Sequence, residues 1–191
     1  TAIYENAIVV GAPWDYNNGD ESGSAYVFVR SGEKWTHQAK LLAPDGAAGD
    51  NFGKSVAIYE DTMVVGAYRD DGNGDESGSA HVFARSEEEW RYQAKLLAPD
   101  GSAYEYFGYS VAIYEDTIVV GAPWDYVNGY DRGSAHVLVH SGGEWSHQAK
   151  LLAPNGAFGW NIAIYGDTIV AGAPRDDDNG IDSGSVHVFV V

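Results

Sequence analysis

The sequence predicts an all-β protein, a β-propeller built of four-stranded antiparallel blades, and three observations support this prediction. A block that begins Ala-Ile-Tyr starts at residues 2, 57, 112 and 163, so the chain repeats itself after 55, 55 and 51 residues. Each repeat holds four short segments of strand composition, and turn residues separate them. Four antiparallel strands in a repeat of about 50 residues are typical of a propeller blade.

The second repeat shows the predicted elements in order. Its four segments have strand composition and lack the apolar spacing of a helix; they lie at residues 55–59, 62–67, 79–85 and 90–98. Glu60-Asp61 forms a tight link between the first two segments, and Asn73-Gly74 is a strong hairpin signal between the second and third. Residues 86–89 join the third segment to the fourth, which is the outer strand of the blade.

The repeat divides the chain into one array of four units, residues 1–51, 52–106, 107–157 and 158–191. The outer-strand block Gln-Ala-Lys-Leu-Leu-Ala-Pro starts at residues 38, 93 and 148 and has no fourth copy. We therefore expect the last blade to lack its outer strand and to leave an assembly edge at Val186, Val188 and Val190. Three explanations stay open: an excerpt of a longer propeller, a four-bladed ring with one short blade, or an assembly in which a neighbouring chain supplies the strand.

Composition excludes several classes of partner. The chain has 191 residues, of which 28 are acidic and 11 are Lys or Arg, so its formal net charge is −17. This charge repels phosphate backbones and anionic lipid, which argues against nucleic acid as a partner. No apolar stretch reaches the length of about 18 residues that a membrane span needs, so we expect no membrane insertion. The absence of Cys excludes disulfides, thiolate metal sites and thiol nucleophiles.

Acidic residues concentrate in the loop between the second and third strands of each unit. The four loops share an Asp, then Asn-Gly, then an acid, then Gly-Ser. Oxygen ligands of this kind suit calcium, the one candidate cofactor, and the candidate ligands are Asp15, Asn18, Glu21, Asp70, Asn73, Glu76, Asp125, Asn128, Asp131, Asp176, Asn179 and Asp182. The structural alternative, which we favour, is that Asp begins an Asx turn, Gly supplies positive φ and the acids stay solvated.

The same loops begin alternately with an aromatic and a cationic residue. The candidate partner-binding residues are Trp14, Tyr16, Arg69, Trp124, Tyr126 and Arg175. Exposed aromatic and Arg side chains concentrate binding energy, and aromatic rings can stack on sugars, so a protein or glycan partner is expected. The alternative is that each Trp packs over the neighbouring blade.

Two other sets of aromatic residues are predicted to pack between blades. The first opens the outer strands and comprises Trp35, Trp90 and Trp145. The second lies on the inner strands and comprises Tyr4, Tyr59, Tyr114 and Tyr165. A large aromatic residue at a repeated strand position is usually a packing layer, so neither set is assigned to binding.

A two-part motif connects the chain to a known family. Phe52-Gly53 followed by Gly66-Ala67 resembles the FG-GAP repeat of integrin α-chain propellers and their microbial relatives, and the match recurs at Phe107-Gly108 with Gly121-Ala122-Pro123 and at Phe158-Gly159 with Gly172-Ala173-Pro174. The resemblance implies a propeller and an extracellular or cell-surface role such as adhesion. The family's calcium loop between the first and second strands is missing, because Glu60-Asp61 is too short to wrap an ion.

Catalysis has little support in the sequence. His81, His136 and His187 occupy one repeated strand position, which is Tyr26 in the first unit, and nucleophile-elbow, zinc-helix and phosphate-loop motifs are absent. We therefore expect no enzyme activity. The sequence favours an extracellular or cell-surface recognition propeller that binds a protein or glycan through its loop face. The alternative is a structural subunit of an extracellular assembly or filament, with self-association through open blade edges.

Overall fold

The repeat folds into four antiparallel sheets, which we call blades 1 to 4. The computed structural model describes residues 1–87, 89–127, 130–154 and 156–191. All the helices and strands assigned in these residues are β-strands. The strands of blades 1 and 2 are β1 (Ala2–Tyr4), β2 (Ala7–Ala12), β3 (Ser24–Ser31), β4 (Lys34–Leu41), β5 (Ser55–Tyr59), β6 (Thr62–Ala67), β7 (Ser79–Ser86) and β8 (Glu89–Leu96). Those of blades 3 and 4 are β9 (Ser110–Tyr114), β10 (Thr117–Ala122), β13 (Ser134–Ser141), β14 (Glu144–Leu151), β15 (Asn161–Tyr165), β16 (Thr168–Ala173) and β17 (Ser185–Val190).

Strands follow one another across each blade in chain order, and blade 4 has only three. This confirms the predicted fold class, including the missing outer strand. A small hairpin of β11 (Tyr126–Val127) and β12 (Tyr130–Asp131) in the loop of blade 3 was not predicted. The outer strand β8 ends two residues earlier than predicted, because the Ala98 carbonyl accepts turn hydrogen bonds from the Gly101 amide and the Asn73 side chain.

The hydrophobic core lies between blades. Val27 of blade 1 packs in one cluster with Met63 and Val65 of blade 2, and all three are fully buried. The same arrangement recurs between blades 2 and 3 and between blades 3 and 4. Because each buried side chain of this size stabilises the fold by about 1.5–3 kcal/mol, adjacent blades stabilise each other.

The Phe-Gly and Gly-Ala segments of successive blades meet at these junctions. The Phe107 side chain is 1% exposed, and its amide donates to the Ser77 carbonyl of the preceding blade. A Cβ atom added at Gly121 would overlap with the Gly159 carbonyl oxygen of the following blade. The motif therefore brings two backbones together where only glycine fits.

The tyrosines of the inner strands form a ladder across all four blades. Successive rings of Tyr4, Tyr59, Tyr114 and Tyr165 lie 5.0 Å apart between centroids. Burial raises the pKa of Tyr59 to about 12. Trp90 packs against the core between blades 1 and 2, and its Nε1 donates to Gln38 Oε1 at 3.2 Å. The predicted packing roles of Tyr4, Tyr59, Tyr114, Trp90 and Trp145 are confirmed. On the end blades, Tyr165 is 77% exposed and Trp35 is 39% exposed, so these two rings are not enclosed between blades.

The four blades do not close into a ring. Ile3 on blade 1 and Val188 on blade 4 are both 64% exposed, whereas the equivalent Ile58 and Val82 are 7% and 0% exposed. The assembly-edge residues Val186 and Val190 are 67% and 74% exposed, and β16 is the one strand of the described residues that pairs with β17. Within the described residues, no helix is long and apolar enough to cross a membrane.

Candidate functional site

In blades 1 to 3, the Asp near the start of the acidic loop is held by a lysine from the outer strand of the same blade. The Nζ atom of Lys40 lies 2.8 Å from Asp15 Oδ2, that of Lys95 lies 2.8 Å from Asp70 Oδ2, and that of Lys150 lies 2.6 Å from Asp125 Oδ2. The lysines come from the repeated Gln-Ala-Lys-Leu-Leu-Ala-Pro block. Each of these three loops is thereby fastened to the outer strand of its blade.

A hydroxyl and either a histidine or a tyrosine from the third strand complete this cluster. In blade 1, Lys40 holds the pKa of Asp15 well below its ordinary value, together with the hydrogen bonds that Ser24 Oγ and Tyr26 Oη donate to Asp15 Oδ2 at 2.7 and 2.8 Å. In blade 2, burial alone would raise the pKa of Asp70, but the contacts with His81 and Lys95 outweigh it and lower the pKa to about 2. These carboxylates are therefore charged at neutral pH.

The other predicted calcium ligands take part in turns or reach other partners. Gly19, Gly74 and Gly180 have φ of 125°, 137° and 131°, as the turn interpretation requires. Asn73 Nδ2 donates to the Ala98 carbonyl, and Glu76 Oε2 lies 3.8 Å from Arg69 Nε. Glu21 and Asp182 have positive φ, of 56° and 50°. The backbone amides of Asn18 and Asn179 donate to the hydroxyl oxygens of Ser22 and Ser183. Asn128 and the side chain of Asp131 lie outside the described residues.

In the part of the chain that the structure describes, one group of side chains could hold a metal ion by its spacing. Ligand atoms of Asp45, Asp70 and His81 lie within 4.8 Å of one another. However, Lys95 Nζ lies 2.7 Å from Asp45 Oδ2 and 2.8 Å from Asp70 Oδ2, so a cation of this chain already bridges both carboxylates. A donor set that includes an ammonium group does not fit a divalent ion unless Lys95 moves away.

The histidine of blade 3 predicts a measurable pH dependence. His136 is fully buried, and burial together with the nearby Lys150 lowers the pKa of His136 from 6.5 to about 4. The folded state therefore binds this proton less tightly than the unfolded state, and stability falls as pH falls from about 6.5 to about 4. The change His136→Tyr should remove this dependence, because a tyrosine does not titrate in this pH range. The tyrosine should fit the site, because Tyr26 and His37 already occupy the equivalent positions in blade 1.

We expect urea unfolding at pH 7 and at pH 4 to show that the wild type loses about 3 kcal/mol more than His136→Tyr over this interval. Asp50, whose pKa burial raises to about 6, shifts stability in the opposite direction in both proteins and cancels in the comparison. Parallel pH profiles of the two proteins would contradict the prediction.

A second cluster, which we call the aromatic surface, spans blades 2 to 4 on the side of these loops. It consists of the half-buried rings of Tyr68, Tyr106, Tyr109, Trp124 and Trp160. The Trp124 ring centroid lies 5.0 Å from that of Tyr106, 5.3 Å from that of Tyr109 and 4.9 Å from that of Trp160. Tyr68 contacts both Tyr106 and Tyr109, so the five rings form one continuous group.

Three cations lie on the aromatic surface. Lys54 Nζ lies 4.5 Å from the centroid of the Tyr109 ring, and the guanidinium carbons of Arg69 and Arg175 lie 5.3 and 5.8 Å from the rings of Tyr68 and Trp160. These distances are in the range of cation–π contacts. They keep the cations against the rings and close to the solvent.

A cleft of about 500 Å³ adjoins this surface. It is lined by Ser102, Ala103, Tyr104, Tyr106, Trp124 and Tyr126. Tyr104 and Tyr126 are 54% and 63% exposed, and the Tyr104 hydroxyl donates to Asp75 Oδ2 at 3.3 Å. The cleft therefore offers aromatic faces to a ligand, with a few polar groups that could orient it.

Comparison with known proteins identifies the family. A family model described as the FG-GAP repeat matches residues 1–28, 35–83, 90–138 and 145–189, which together are most of the chain. The chain belongs to the FG-GAP repeat family. Each FG-GAP segment after the first begins in the outer strand of one blade and ends in the third strand of the next. FG-GAP repeats are typical of extracellular proteins.

Solved structures also match this FG-GAP chain, among them one described as "Structure of YjhT", with 14% sequence identity and a TM-score of 0.41. The match covers 86% of this chain and 52% of that one, so the FG-GAP chain spans about half the length of the structure it matches. No curated protein matches the chain.

The structure brings together part of the predicted binding set. Arg69, Trp124 and Arg175 lie on the aromatic surface, and Tyr126 lines the adjoining cleft. Trp14 and Tyr16 of blade 1 are 70% and 67% exposed and make no ring contact among the described residues. The binding roles of all six residues stay predictions.

Sequence reasoning missed most of the rings, because it followed what the FG-GAP units share. Tyr109 and Trp160 directly follow the Phe-Gly pair, where blade 2 has Lys54. Tyr106 directly precedes that pair, where blade 2 has Asn51. The signal was therefore the departure of individual FG-GAP units from the repeat at positions next to the motif.

Proposed function

We propose that this FG-GAP chain is a non-catalytic, extracellular or cell-surface recognition module that binds a protein or glycan through the aromatic surface and its cleft. The observation that carries the proposal is the continuous group of five rings flanked by Arg69 and Arg175. Trp, Tyr and Arg are the residues that most often dominate binding energy at interfaces.

Partial exposure of these rings supports binding rather than packing alone. The packing aromatics of the blade junctions, such as Phe107 and Phe158, are 1% and 0% exposed, whereas the five rings of the aromatic surface are half-buried and Tyr104 and Tyr126 of the cleft are more than half exposed. The formal net charge of −17 disfavours anionic ligands and leaves neutral glycans and neutral or basic protein segments as partners.

The non-catalytic part of the proposal rests on the burial and ion pairing of the titratable groups. Asp70 and Asp125 are buried and ion-paired, and His81 and His136 are buried beside them. A general acid or base must reach the proton it transfers, and these side chains are enclosed between strands.

The proposal is tested by removing the two exposed rings of the cleft. We expect the double change Tyr104→Ala and Tyr126→Ala to weaken binding at least tenfold, because exposed aromatic anchors each contribute about 1 kcal/mol or more. Ligands would first be selected from a glycan array and a displayed peptide library with the wild-type chain, and then titrated by calorimetry against both proteins.

Tyr16→Ala is the matched control, because Tyr16 is 67% exposed on the equivalent loop of blade 1 and lies outside the cleft. We expect this control to bind as the wild type does. An equal loss in the control and the cleft variant would instead indicate that the site is the whole loop face. Unchanged binding of every selected ligand to the cleft variant would contradict the proposal.

Calcium binding by the acidic loops stays a prediction. The aspartates that would contribute a ligand in blades 1 to 3 are already ion-paired with Lys40, Lys95 and Lys150. An ion would therefore have to displace an ammonium group at each of these sites. The turn interpretation explains the same residues without displacing the lysines.

A second role, as the subunit of an assembly, is favoured by the exposed faces of the end blades. On blade 4, Val170, Val186 and Val188 are 36%, 67% and 64% exposed, while the equivalent residues of blade 2 are fully buried against blade 3. Ile3 is exposed on blade 1, at the position where blade 2 buries Ile58 against blade 1. We propose that the blade 4 face of one copy packs against the blade 1 face of a second copy, a head-to-tail contact that makes rings or filaments.

Light scattering combined with electron micrographs tests this role. We expect particles of several copies whose mass rises with concentration, and we expect Val188→Asp to return them to single chains. A wild-type mass equal to one chain at every concentration would exclude the assembly.

A further inference from the structure

Blade 4 contains a fourth copy of the loop aspartate but no lysine to pair with it. In blades 1 to 3, a lysine of the outer strand lies 2.6 to 2.8 Å from the equivalent carboxylate. Among the described residues, Asp176 makes an ion pair only with His187. The position that a lysine takes in the other three blades is therefore open.

The surroundings of Asp176 already have the geometry seen where a lysine is present. His187 Nε2 lies 3.9 Å from Asp176 Oδ2, compared with 3.9 Å for His81 and Asp70 and 4.0 Å for His136 and Asp125. Ser185 Oγ donates to Asp176 Oδ2 and lies 2.9 Å from His187 Nε2. The carboxylate is thus held in place before any strand arrives, which lowers the cost of binding one.

The edge beside Asp176 is also open along its whole length. The side chain of His187 is 23% exposed, whereas those of His81 and His136 are 0% exposed under the outer strands of their blades. No strand among the described residues pairs with the second edge of β17. The hydrogen-bonding groups of this edge and the acid next to it are therefore available to one polypeptide segment.

We propose that the free edge of β17 is a binding site for one extended strand, supplied by polypeptide outside residues 1–191, that pairs antiparallel and places a lysine beside Asp176. The three internal copies specify the chemistry of this strand. The strand should bring one positive charge, because Asp176 is buried and its one ion-pair partner among the described residues is His187.

The pairing of blade 3 sets the register of the incoming strand. There Lys150 lies opposite His136, Leu151 opposite Ala135 and Ala149 opposite Val137. The equivalent residues of β17 are His187, Val186 and Val188. The strand should therefore place Ala-Lys-Leu opposite Val188, His187 and Val186, in that order.

A synthetic peptide with the sequence of residues 144–154, Glu-Trp-Ser-His-Gln-Ala-Lys-Leu-Leu-Ala-Pro, tests the proposal against the full 191-residue chain. We expect saturable binding of one labelled peptide per chain in fluorescence anisotropy. We also expect the peptide with Lys150→Met to bind at least tenfold more weakly, because it leaves the Asp176 carboxylate unpaired.

The chain variant Asp176→Asn should bind the two peptides with nearly equal affinity, because the charge that distinguishes them is gone. Asp177→Asn is the control, since Asp177 is exposed beside the site, and it should preserve the tenfold difference. The absence of Cys from the chain allows a register test. With oxidised glutathione as the oxidant, Val186→Cys should form a disulfide with a peptide that has Cys in place of Leu151, and not with one that has Cys in place of Leu152.

Two results would overturn the proposal. Equal affinity of the lysine and methionine peptides for the wild-type chain would show that Asp176 takes no part in recognition. No binding of the lysine peptide by a chain whose circular dichroism is that of a folded β protein would show that the edge accepts no strand of this kind. Neither result depends on the aromatic surface, so the proposed recognition function is tested separately.

Discussion

Replacement of Gly121 by alanine should destabilise the protein by about 3 kcal/mol or more, because the new Cβ atom would overlap with a backbone carbonyl. That carbonyl belongs to Gly159 of the following blade, and the two backbones approach each other at the junction of blades 3 and 4. A backbone atom cannot rotate away as a flexible side chain can. The junction must therefore open, and the core between the blades opens with it.

Gly172→Ala is the matched control for this change. Gly172 occupies the same place in blade 4, and the nearest heavy atom to an added Cβ is the Asn161 carbonyl oxygen at 4.0 Å. We expect this variant to have nearly wild-type stability in urea unfolding, since, apart from its two chain neighbours, no backbone atom of the described residues lies closer than 4.0 Å to the added Cβ. An equal loss in both variants would locate the cost within the strand instead of at the junction.

Replacement of Lys150 by methionine should cost about 3–5 kcal/mol, because it leaves a buried carboxylate without its cation. The Asp125 side chain is 2% exposed and lies 2.6 Å from Lys150 Nζ. The unpaired charge would then have to be hydrated. Chemical denaturation at pH 7 measures the loss.

Lys40→Met is the control in blade 1, where the loss should be smaller. The Asp15 side chain is 25% exposed and also accepts hydrogen bonds from Ser24 and Tyr26. The double change Lys150→Met and Asp125→Asn should recover most of the stability, since it removes both charges together. A double variant as unstable as Lys150→Met alone would mean that the lysine acts through packing of its alkyl chain.

The strands of blade 2 show why the fold could be predicted without a structure. The period of the repeat, the four strand-like segments and the turn residues all act over a few residues, so each is visible in a short stretch of sequence. The first two strands of blade 2, residues 55–59 and 62–67, have the predicted bounds for this reason. The predicted end of the outer strand β8 was less accurate, because it depends on a hydrogen bond to Ala98 from Asn73, which lies 25 residues away.

The aspartate clusters show where prediction from the repeat stopped. Asp70 was a candidate ligand because it lies in an acidic loop, and Lys95 was only part of a repeated block. Their separation of 2.8 Å follows from the path of two strands and a loop. Local sequence cannot distinguish an acid that faces solvent from one that faces an ammonium group of the same blade.

The sequence by itself determined the all-β architecture, the FG-GAP repeat and the missing outer strand of the last blade, because these depend on local patterns that recur in register. Only the tertiary structure decided which side chains meet. It placed Tyr109, Trp124 and Trp160 on one surface, although 51 residues of chain separate the first from the last. It also placed a lysine on three of the four loop aspartates and left Asp176 without one. The physical reason is that these contacts form between strands and blades that are distant in sequence, where packing and charge pairing depend on the position of the whole blade.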